Sequence, residues 1–456
     1  MRVAACMVAM AAAGWCADFR VADYGAKGDG QTDDTAAIQK TIDRAAESGR
    51  NTLNTIVFKP GVYLSGALFV KSGTHLRLDE GVRIRGVQSL AGYPIMQTRV
   101  AGIEMKWPAA LINVYEQTGV KISGQGTIDG DGKIWWDKYW KMRREDYEPR
   151  GLRWAADYDC QRPRLIQIYN SSNVDVQGLQ LERSGFWTVH ICYSRKVTVD
   201  GVTIRNNIGG KGPSTDGIDV DSSSDVVVEH CDIECNDDAI CLKAGRDSDG
   251  LRVNRPTAHV AIRDDTVRGG AAGVTFGSET SGGIHDVEAY RIHVLGTVSN
   301  GILFKSASTR GGTVENIVIH DMDIRDVNVA IGVELNWNPS FSYAKLPEGI
   351  NKVPDYWRVL LTPVPPELGM PHIRNVRISG IHAAGVGRAF SVRSYADSPL
   401  RNFTFQDVDI AAKVAGSIQN AEDWKFSNTR IQAADGSQVS VKDSTGVTGL
   451  TDAPGQ

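Results

Sequence analysis

The chain has 456 residues, a formal net charge of -4 and 41% hydrophobic residues, which is the composition of a soluble globular protein. Because no block of Lys or Arg stands out, nucleic acid is excluded as the expected partner. The mildly acidic balance also argues against binding to an anionic membrane surface.

The first 17 residues differ from the rest of the chain. Arg2 supplies a positive start, residues 3–14 form a short apolar run, and Cys16-Ala17 supplies a small-residue end. This pattern is typical of a secretory signal peptide and is too short to span a bilayer. We therefore predict residues 1–17 as a removed leader and the mature protein as secreted or periplasmic. No later stretch has eighteen consecutive apolar residues, so we expect no membrane span.

One helix is predicted ahead of a long region of strands. Thr32 or Asp33 is a suitable cap, and Ile38 and Ile42 follow at helical spacing. A lone amphipathic helix before a repeated β region is expected to cover the open apolar end of a solenoid. The pattern therefore predicts a short N-terminal capping helix.

The rest of the chain repeats one small pattern. From Thr55 onward, a polar residue followed by Val-x-Val or a close variant recurs, and five successive intervals starting at Val174 are 23, 29, 34, 27 and 30 residues. Such self-similarity indicates a solenoid, and a repeat built of strands and turns favours an all-β parallel β-helix. A β-sandwich is the alternative, but it does not explain a repeat of coil length. We predict a single β-helix domain over residues 18–456.

Two long intervals interrupt the repeat, near residues 93–163 and 334–371. Both are rich in aromatic residues, among them Trp135, Trp154 and Trp337. Insertions in a solenoid project from one face and often build the binding site, where aromatic rings can stack on sugars. The alternative is that the rings pack the loops onto the coil, and we expect this for more than half of them.

Three aspartates lie about one coil apart. Asp216 precedes one predicted strand, and the pair Asp237-Asp238 precedes the next. Because neighbouring residues of a regular strand point to opposite faces, the pair can serve one site only at a turn or bulge. The alternative is a solvated turn, where most Asp-Asp pairs occur.

Several ordered segments together resemble a known family. They are, in chain order, Tyr24–Gly30 with Thr32–Thr35, Gly124–Gly132 with Trp135-Trp136, Thr215–Asp219, Asp237–Lys243, Gly277–Glu279 and Gly301–Ser306. The first resembles the opening of pectin-degrading β-helix proteins. The whole set is similar to glycoside hydrolase family 28, which contains polygalacturonases and rhamnogalacturonan hydrolases.

The resemblance implies a right-handed parallel β-helix that hydrolyses galacturonic-acid bonds of pectin backbones with inversion at the anomeric carbon. It implies that Asp237 is the general acid and that Asp216 and Asp238 activate water. One carboxyl group must deliver a proton while another accepts one, and crowding raises the pKa of at least one of them. An inverting site is expected to hold acid and base ~6.5–9.5 Å apart.

The resemblance also implies how substrate is held. We expect Lys305 to pair with a substrate carboxylate, with Glu279, Arg310 and Trp337 as further substrate-binding candidates. Lys243 also matches the family pattern, although it could simply line the coil. The expected partner is a pectic polysaccharide or oligosaccharide, and we expect a monomer with no metal and no cofactor.

Three positions depart from the family pattern. Ser214 replaces an asparagine, Ala272 replaces a histidine, and Leu303 replaces an arginine that would grip a galacturonate carboxylate. Leucine cannot form the two-pronged contact of arginine, but it offers an apolar wall that suits a deoxy-sugar such as rhamnose. The departures at Ala272 and Leu303 favour rhamnogalacturonan over homogalacturonan, and the long insertions favour action at chain ends.

Two other classes of function stay open from the sequence. Asp216, Asp237 and Asp238 could hold calcium in a pectate lyase, because lyases share the β-helix and calcium prefers oxygen ligands. A sugar-binding β-helix that has lost activity is the other alternative.

Some residues are predicted to serve the scaffold. We expect His190 to be a satisfied histidine of the coil, and Asp219 and Asp221 to project from the coil and bond to turns. If Cys6 and Cys16 leave with the leader, five cysteines remain, so at least one thiol is free and most are expected to act as small hydrophobic residues.

Overall fold

The computed structural model of the chain describes residues 17–49 and 53–450. The predicted leader, with Cys6 and Cys16, lies outside the described residues except for Ala17. Within those two described ranges, no helix is long and apolar enough to cross a membrane.

Most of the described chain forms short strands. In chain order they are β1 Asp18–Arg20, β2 Asp29–Asp33, β3 Asn54–Val57, β4 Gly61–Ser65, β5 Leu68–Phe69, β6 Thr74–Leu78, β7 Val82–Gly86, β8 Ile95–Val100, β9 Ile103–Pro108, β10 Ile112–Tyr115, β11 Thr118–Gly124, β12 Thr127–Asp129, β13 Ile166–Tyr169, β14 Ser172–Gln177, β15 Gln180–Glu182, β16 Val189–Cys192, β17 Arg195–Asp200, β18 Thr203–Arg205, β19 Ile218–Asp221, β20 Ser224–Glu229, β21 Asp232–Glu234, β22 Ile240–Lys243, β23 Thr257–Arg263, β24 Thr266–Phe276, β25 Ile284–Lys305, β26 Thr313–Arg325, β27 Val329–Glu334, β28 His372–Arg393, β29 Leu400–Gln419, β30 Ala421–Glu422, β31 Lys425–Ala433 and β32 Ser440–Lys442.

Helices are short and lie mainly outside the coil. The α-helices are α1 Thr35–Glu47, α2 Lys133–Met142, α3 Ala156–Asp159, α4 Asp247–Val253, α5 Pro339–Ser342, α6 Asp355–Leu361 and α7 Pro366–Gly369. Three 3-10 turns occupy Val21–Tyr24, Leu90–Gly92 and Arg153–Ala155, and a π-helical turn occupies Arg143–Tyr147.

The strands stack coil upon coil into three parallel sheets, so the prediction of an all-β, right-handed parallel β-helix is confirmed. Sheet I contains β1, β3, β6, β11, β14, β17, β20, β23 and the first segments of β25, β26, β28, β29 and β31. Sheet II contains β2, β4, β7, β12, β15, β18, β21, the first segment of β24 and the next segments of β25, β26, β28, β29 and β31. Sheet III contains β5, β10, β13, β16, β19, β22, β27, β32 and the last segments of β24, β25, β28 and β29.

The corner between sheets I and II explains part of the repeat in the sequence. In eight successive coils it contains a residue with a positive φ angle, namely Gly178, Gly201, His230, Asp264, Arg291, Asp321, Gly380 and Asp407. Gly, Asn and Asp tolerate this left-handed conformation best, which accounts for most of these positions. The same corner conformation in each coil therefore explains why Gly and Asp recur there.

The inside of the coil is filled by ladders of like side chains. In sheet III, Ile218 pairs with Ile240, and Val274 pairs with Ile302 in the following coils. The five cysteines of the described chain, Cys160, Cys192, Cys231, Cys235 and Cys241, are all buried and free. They therefore serve as small apolar residues, as expected.

The N-terminal helix covers the first coil. Helix α1 buries Ile38, Ile42 and Ala45. The helix begins at Thr35, later than the sequence suggested, and Asp33 accepts a hydrogen bond from the backbone N–H of Thr35 at 3.0 Å.

The first segment predicted as an insertion is not continuous. Residues 93–163 contain a complete coil, β10 to β12, between an antiparallel hairpin of β8 and β9 and the helical segment from α2 to α3. The repeat is therefore interrupted twice in this interval. The second segment, 334–371, lies between β27 and β28 and holds α5, α6 and α7.

Phe304 offers a test of the stacked core. Its ring is fully buried and lies parallel to Phe276 with centroids 4.5 Å apart. We expect Phe304→Ala to lower the free energy of unfolding by about 3–5 kcal/mol because it removes a buried ring and leaves a cavity. Arg325→Ala, at an exposed side chain, should change it by about 0.5 kcal/mol at most. Guanidinium denaturation followed by circular dichroism measures both, and equal midpoints would contradict this packing.

Candidate active site

The three aspartates lie where sheet II turns into sheet III. Asp216 comes two residues before β19, and Asp238 comes two residues before β22. Because Ile218 pairs with Ile240, Asp216 and Asp238 occupy the same position in consecutive coils. The N–H of Gly217 donates to the Asp238 carbonyl at 2.9 Å, which fixes the stacking of the two turns.

Asp237 joins the other two at the turn. Its Oδ1 accepts a hydrogen bond from the N–H of Asp238 at 3.0 Å, so the adjacent pair bends into one site instead of facing opposite ways. One oxygen from each of Asp216, Asp237 and Asp238 lies within 4.8 Å of the others. Asp216 and Asp238 are buried, whereas Asp237 is partly exposed.

The distances within this cluster are measured between single oxygens, one from each aspartate, which lie within 4.8 Å of one another. The ~6.5–9.5 Å of an inverting site refers to whole carboxyl groups, so the separation of acid and base stays a prediction.

Two lysines neutralise the buried carboxylates. Lys305 Nζ donates to Asp238 Oδ2 at 2.6 Å. Lys243 Nζ lies 3.4 Å from Asp216 Oδ2 and 3.4 Å from Asp219 Oδ1. It also lies 3.6 Å from Glu279 Oε2. Lys243 is therefore part of the site, and Asp219 contacts this lysine instead of a turn.

The three aspartates differ in the direction in which this environment shifts their pKa values. Burial raises the pKa of Asp216 well above its ordinary value, with the nearby charge of Asp219 as the next cause. Burial also raises the pKa of Asp237, assisted by the charge of Asp238. Burial opposes ionisation of Asp238 as well, but Lys305 and Lys243 outweigh it and hold the pKa of Asp238 below its ordinary value. The cluster thus offers a protonated carboxyl group beside an ionised one.

A narrow cleft of ≈ 100 Å³ opens over the cluster. Its lining comes from the coil and from both insertions: Ala101, Arg153, Asp157, Phe186, Trp187, Ser214, Asp216, Asp237, Asp238, Lys243, Ser278, Glu279, Lys305, Trp337, Asn338 and Phe341. Three larger depressions are also present in the described chain. Two of them, of ≈ 810 and ≈ 1200 Å³, lie on the outer face of sheet I, and a third, of ≈ 390 Å³, lies between helix α2 and Asn236. We assign the site to the smaller cleft because all three aspartates and both lysines line it.

The predicted substrate-binding residues divide into two groups. Glu279, Lys305 and Trp337 line the cleft, and Lys305 Nζ lies 4.6 Å from the centre of the Trp337 ring. Arg310 lies outside the lining, fully buried, with its guanidinium paired to Asp247. Because the Arg310 guanidinium is buried and already paired with Asp247, Arg310 is not a substrate ligand of this cleft.

Two of the departures from the family pattern also lie outside the lining. Ala272 is fully buried, and its carbonyl accepts the N–H of Ala239 at 2.9 Å. Leu303 is 3% exposed on sheet III, between Thr275 and Gly332 of the neighbouring strands. Neither side chain forms the cleft wall, so neither supplies the apolar surface that was expected to favour rhamnose.

His190 belongs to the scaffold. Its Nε2 lies 3.4 Å from Asp221 Oδ2, and burial lowers the pKa of His190 to about 4. Asp221 also accepts a hydrogen bond from the buried Arg99 at 2.8 Å. The expectation that Asp221 bonds to a turn is wrong, because it pairs with this arginine under the hairpin of β8 and β9.

The sequence did not single out the residues that the insertions place in the cleft. Arg153 and Asp157 come from the first insertion, and Asn338 and Phe341 come from the second. No motif marks them, and only the richness of both segments in aromatic and charged residues points to a binding role.

Comparison with known proteins agrees with this architecture. A model of the family described as Glycosyl hydrolases family 28 matches residues 51–353, and one described as Rhamnogalacturonase A/epimerase, pectate lyase-like matches residues 19–78. The chain is 30% identical over 322 residues to a probable polygalacturonase from Vitis vinifera, which covers 69% of this chain and 62% of that relative. It is 23% identical over 449 residues to an exo-poly-alpha-D-galacturonosidase from Dickeya chrysanthemi, covering 90% of this chain and 70% of that relative.

A solved structure supports the same fold. The hyperthermoactive exopolygalacturonase from Thermotoga maritima has a TM-score of 0.73 and 24% identity, with 91% of each chain covered. The family match over residues 51–353 includes Asp216, Asp237 and Asp238 and spans more than half of the sequence. The chain therefore belongs to glycosyl hydrolases family 28.

Proposed function

We propose that the protein hydrolyses galacturonide bonds of pectic oligosaccharides from a chain end, with inversion at the anomeric carbon. The observation that carries the proposal is the close grouping of Asp216, Asp237 and Asp238 with Lys305 2.6 Å from Asp238, which shifts the pKa values of the adjacent Asp237 and Asp238 in opposite directions. Such a pair can give one proton and take another within the same cleft.

In the proposed reaction, Asp237 donates its proton to the glycosidic oxygen as the bond from that oxygen to the anomeric carbon breaks. Asp238 accepts a proton from a water molecule whose oxygen attacks the anomeric carbon. Asp216 assists in orienting that water, and Lys243 offsets the negative charge around Asp216. The partly exposed position of Asp237 suits contact with the leaving sugar.

Action at chain ends is supported by the way the two insertions meet. Trp154 packs on Trp357 with ring centroids 4.8 Å apart, and Asp159 accepts hydrogen bonds from Tyr356 at 2.6 Å and Trp357 at 2.9 Å. Residues of both insertions also line the cleft, Arg153 and Asp157 from the first and Asn338 and Phe341 from the second. The cleft volume of ≈ 100 Å³ is well below the ~300–1,000 Å³ of a typical ligand pocket, which favours a site that takes the end of a chain.

Homogalacturonan is the favoured substrate, because the cleft is lined by Arg153, Lys243 and Lys305 and because relatives of the chain carry polygalacturonase names. Rhamnogalacturonan is the second candidate, favoured by the match of residues 19–78 to the rhamnogalacturonase model.

The pattern of residues 1–17 further supports the proposal that the enzyme is secreted or periplasmic. We propose that it acts as a monomer, which size-exclusion chromatography with light scattering can test.

Product analysis tests the reaction and separates the candidates. Digestion of polygalacturonate should release galacturonate or a single short product from the first minutes, without a ladder of intermediate lengths, because an enzyme that acts from a chain end removes a piece of the same length at each cleavage. Proton NMR during the reaction should show first a product anomer opposite to the bond cleaved. A product absorbing in the ultraviolet would instead indicate a lyase, and cleavage of rhamnogalacturonan alone would favour the second candidate.

Removing the proposed acid tests its role. We expect Asp237→Asn to lower kcat on oligogalacturonates by about 10²–10⁴-fold, since proton donation to the leaving oxygen is lost. Asp225→Asn, at an exposed position on sheet I, should leave kcat unchanged. Unchanged turnover by Asp237→Asn would remove that residue from the acid role.

Lys305 should set the acid limb of the pH profile. The base must be ionised, so activity falls as pH drops through the pKa of Asp238, and it falls again as pH rises through the raised pKa of Asp237. Lys305→Met removes a cation that favours both ionised forms, so both limbs should move to higher pH, the acid limb by about 1–3 units. The exposed Lys413→Met is the matched control, and kcat/KM against pH is the measurement. An acid limb that stays in place would show that Lys305 does not hold Asp238 ionised.

A further inference from the structure

Three charged residues of the first insertion, Arg153, Asp157 and Arg162, form an ion-pair network beside the cleft. Arg153 Nη1 donates to Asp157 Oδ2 at 2.8 Å, and Arg162 Nη2 donates to Asp157 Oδ1 at 3.0 Å. Burial opposes ionisation of Asp157, but the two arginines prevail and hold its pKa at about 2. Two guanidinium groups thus share one carboxylate, and the trio keeps one positive charge in excess.

Arg153 presents that charge to the cleft. Arg162 is fully buried, with its guanidinium 4.3 Å from the Tyr139 ring and 4.5 Å from the Phe186 ring. The Arg153 side chain is 13% exposed and lines the cleft together with Asp237.

The other cations of the cleft are already committed. Lys305 lies against Asp238 at 2.6 Å, and Lys243 lies between three carboxylates at 3.4 to 3.6 Å. Each of these lysines faces at least as much negative charge as it carries. Arg153 differs from both lysines because it shares its single carboxylate partner, Asp157, with a second cation, Arg162.

The guanidinium of Arg153 is held in place, but not all of its N–H groups have an acceptor. Asp157 fixes one side, and the centre of the Phe341 ring of the second insertion lies 5.0 Å from its central carbon. Phe341 is itself held, because Arg246 donates to its carbonyl at 2.8 Å and places its own guanidinium 4.7 Å from the ring centre. Within the described chain, Nη2 of Arg153 donates to no acceptor, which leaves it available to a ligand, whereas Nε is buried without a partner. Oriented donors with unmet capacity are suited to a carboxylate.

We propose that Arg153 binds the carboxylate of the uronic acid unit that lies beside Asp237, and that this contact selects acidic over neutral sugars. The inference rests on the proposed function, because it names the residue that recognises the substrate at that same site. Arg153 acts as a binding residue, and the proton transfers stay with the aspartates.

Direct binding tests the assignment without requiring turnover. The probes are galacturonate and its methyl ester, which differ in charge but keep the same ring, and the readout is the fluorescence of the cleft residues Trp187 and Trp337. The full-length wild type should bind galacturonate about 10- to 100-fold more tightly than the ester. Arg153→Gln should lose that preference by weakening only the binding of the acid. Arg153→Lys should retain part of it, because it keeps the charge without the planar fork.

Arg150→Gln is the matched control, since Arg150 lies in the same insertion, is exposed and does not line the cleft. Its preference for the acid should equal that of the wild type. An Arg153→Gln variant that keeps the wild-type preference, or that weakens acid and ester equally, would overturn the proposal. If Arg153→Gln does not fold, Arg153→Lys carries the test, and a full wild-type preference in that variant overturns it.

Activity assays separate this failure from that of the proposed function. If the wild type prefers the acid but cleaves no galacturonan, the hydrolase proposal fails while the assignment of Arg153 stands. If the wild type cleaves polygalacturonate and Arg153→Gln leaves KM for it unchanged, only the assignment of Arg153 fails.

Discussion

The site depends on the balance of charge in a buried cluster of carboxylates. Four acids, Asp216, Asp219, Asp238 and Glu279, are buried, and Lys243 and Lys305 lie against them. A buried charge is costly unless it is paired, and burial raises the pKa of Asp216 and of Asp219. Asp238 differs because its 2.6 Å contact with Lys305 holds its pKa below the ordinary value. Burial and the neighbouring charge of Asp238 raise the pKa of Asp237.

The coil explains why so much of this was predictable from sequence. A strand repeat with a fixed register brings residues about one coil apart into contact, so Asp216 and Asp238 could be placed together from their distance to the next strand. The bend at Asp237 was also required, since a regular strand would separate the pair. Lys243 was ambiguous because a residue on the outside of a strand can face either solvent or a site. Its role appears only once both insertions cover that face.

The positions of the insertions in the chain were predictable from the sequence, but their folded structure was not. Their shape depends on contacts between segments far apart in sequence, such as Trp154 with Trp357 and Asp159 with Tyr356. No periodic pattern encodes such contacts, so the sequence could not predict the shape of the insertions. The repeat around Val120 did mark the coil within residues 93–163, although that interval was predicted as one insertion. The same reason explains Arg310, whose partner Asp247 occupies a helix that the repeat pattern does not reveal.

Ser214 connects the coil to the first insertion. This residue of the first aspartate motif donates through Oγ to Asp157 at 2.9 Å, so the motif is bonded to the first insertion. Asp157 in turn accepts a hydrogen bond from Arg153, which lines the cleft together with Asp237. The departures at Ala272 and Leu303 lie on the coil, outside the cleft lining, whereas the departure at Ser214 supports a cation from the insertion. Under the proposed assignment, recognition of the sugar carboxylate has moved from the coil to the insertion, and the coil retains the proton transfers.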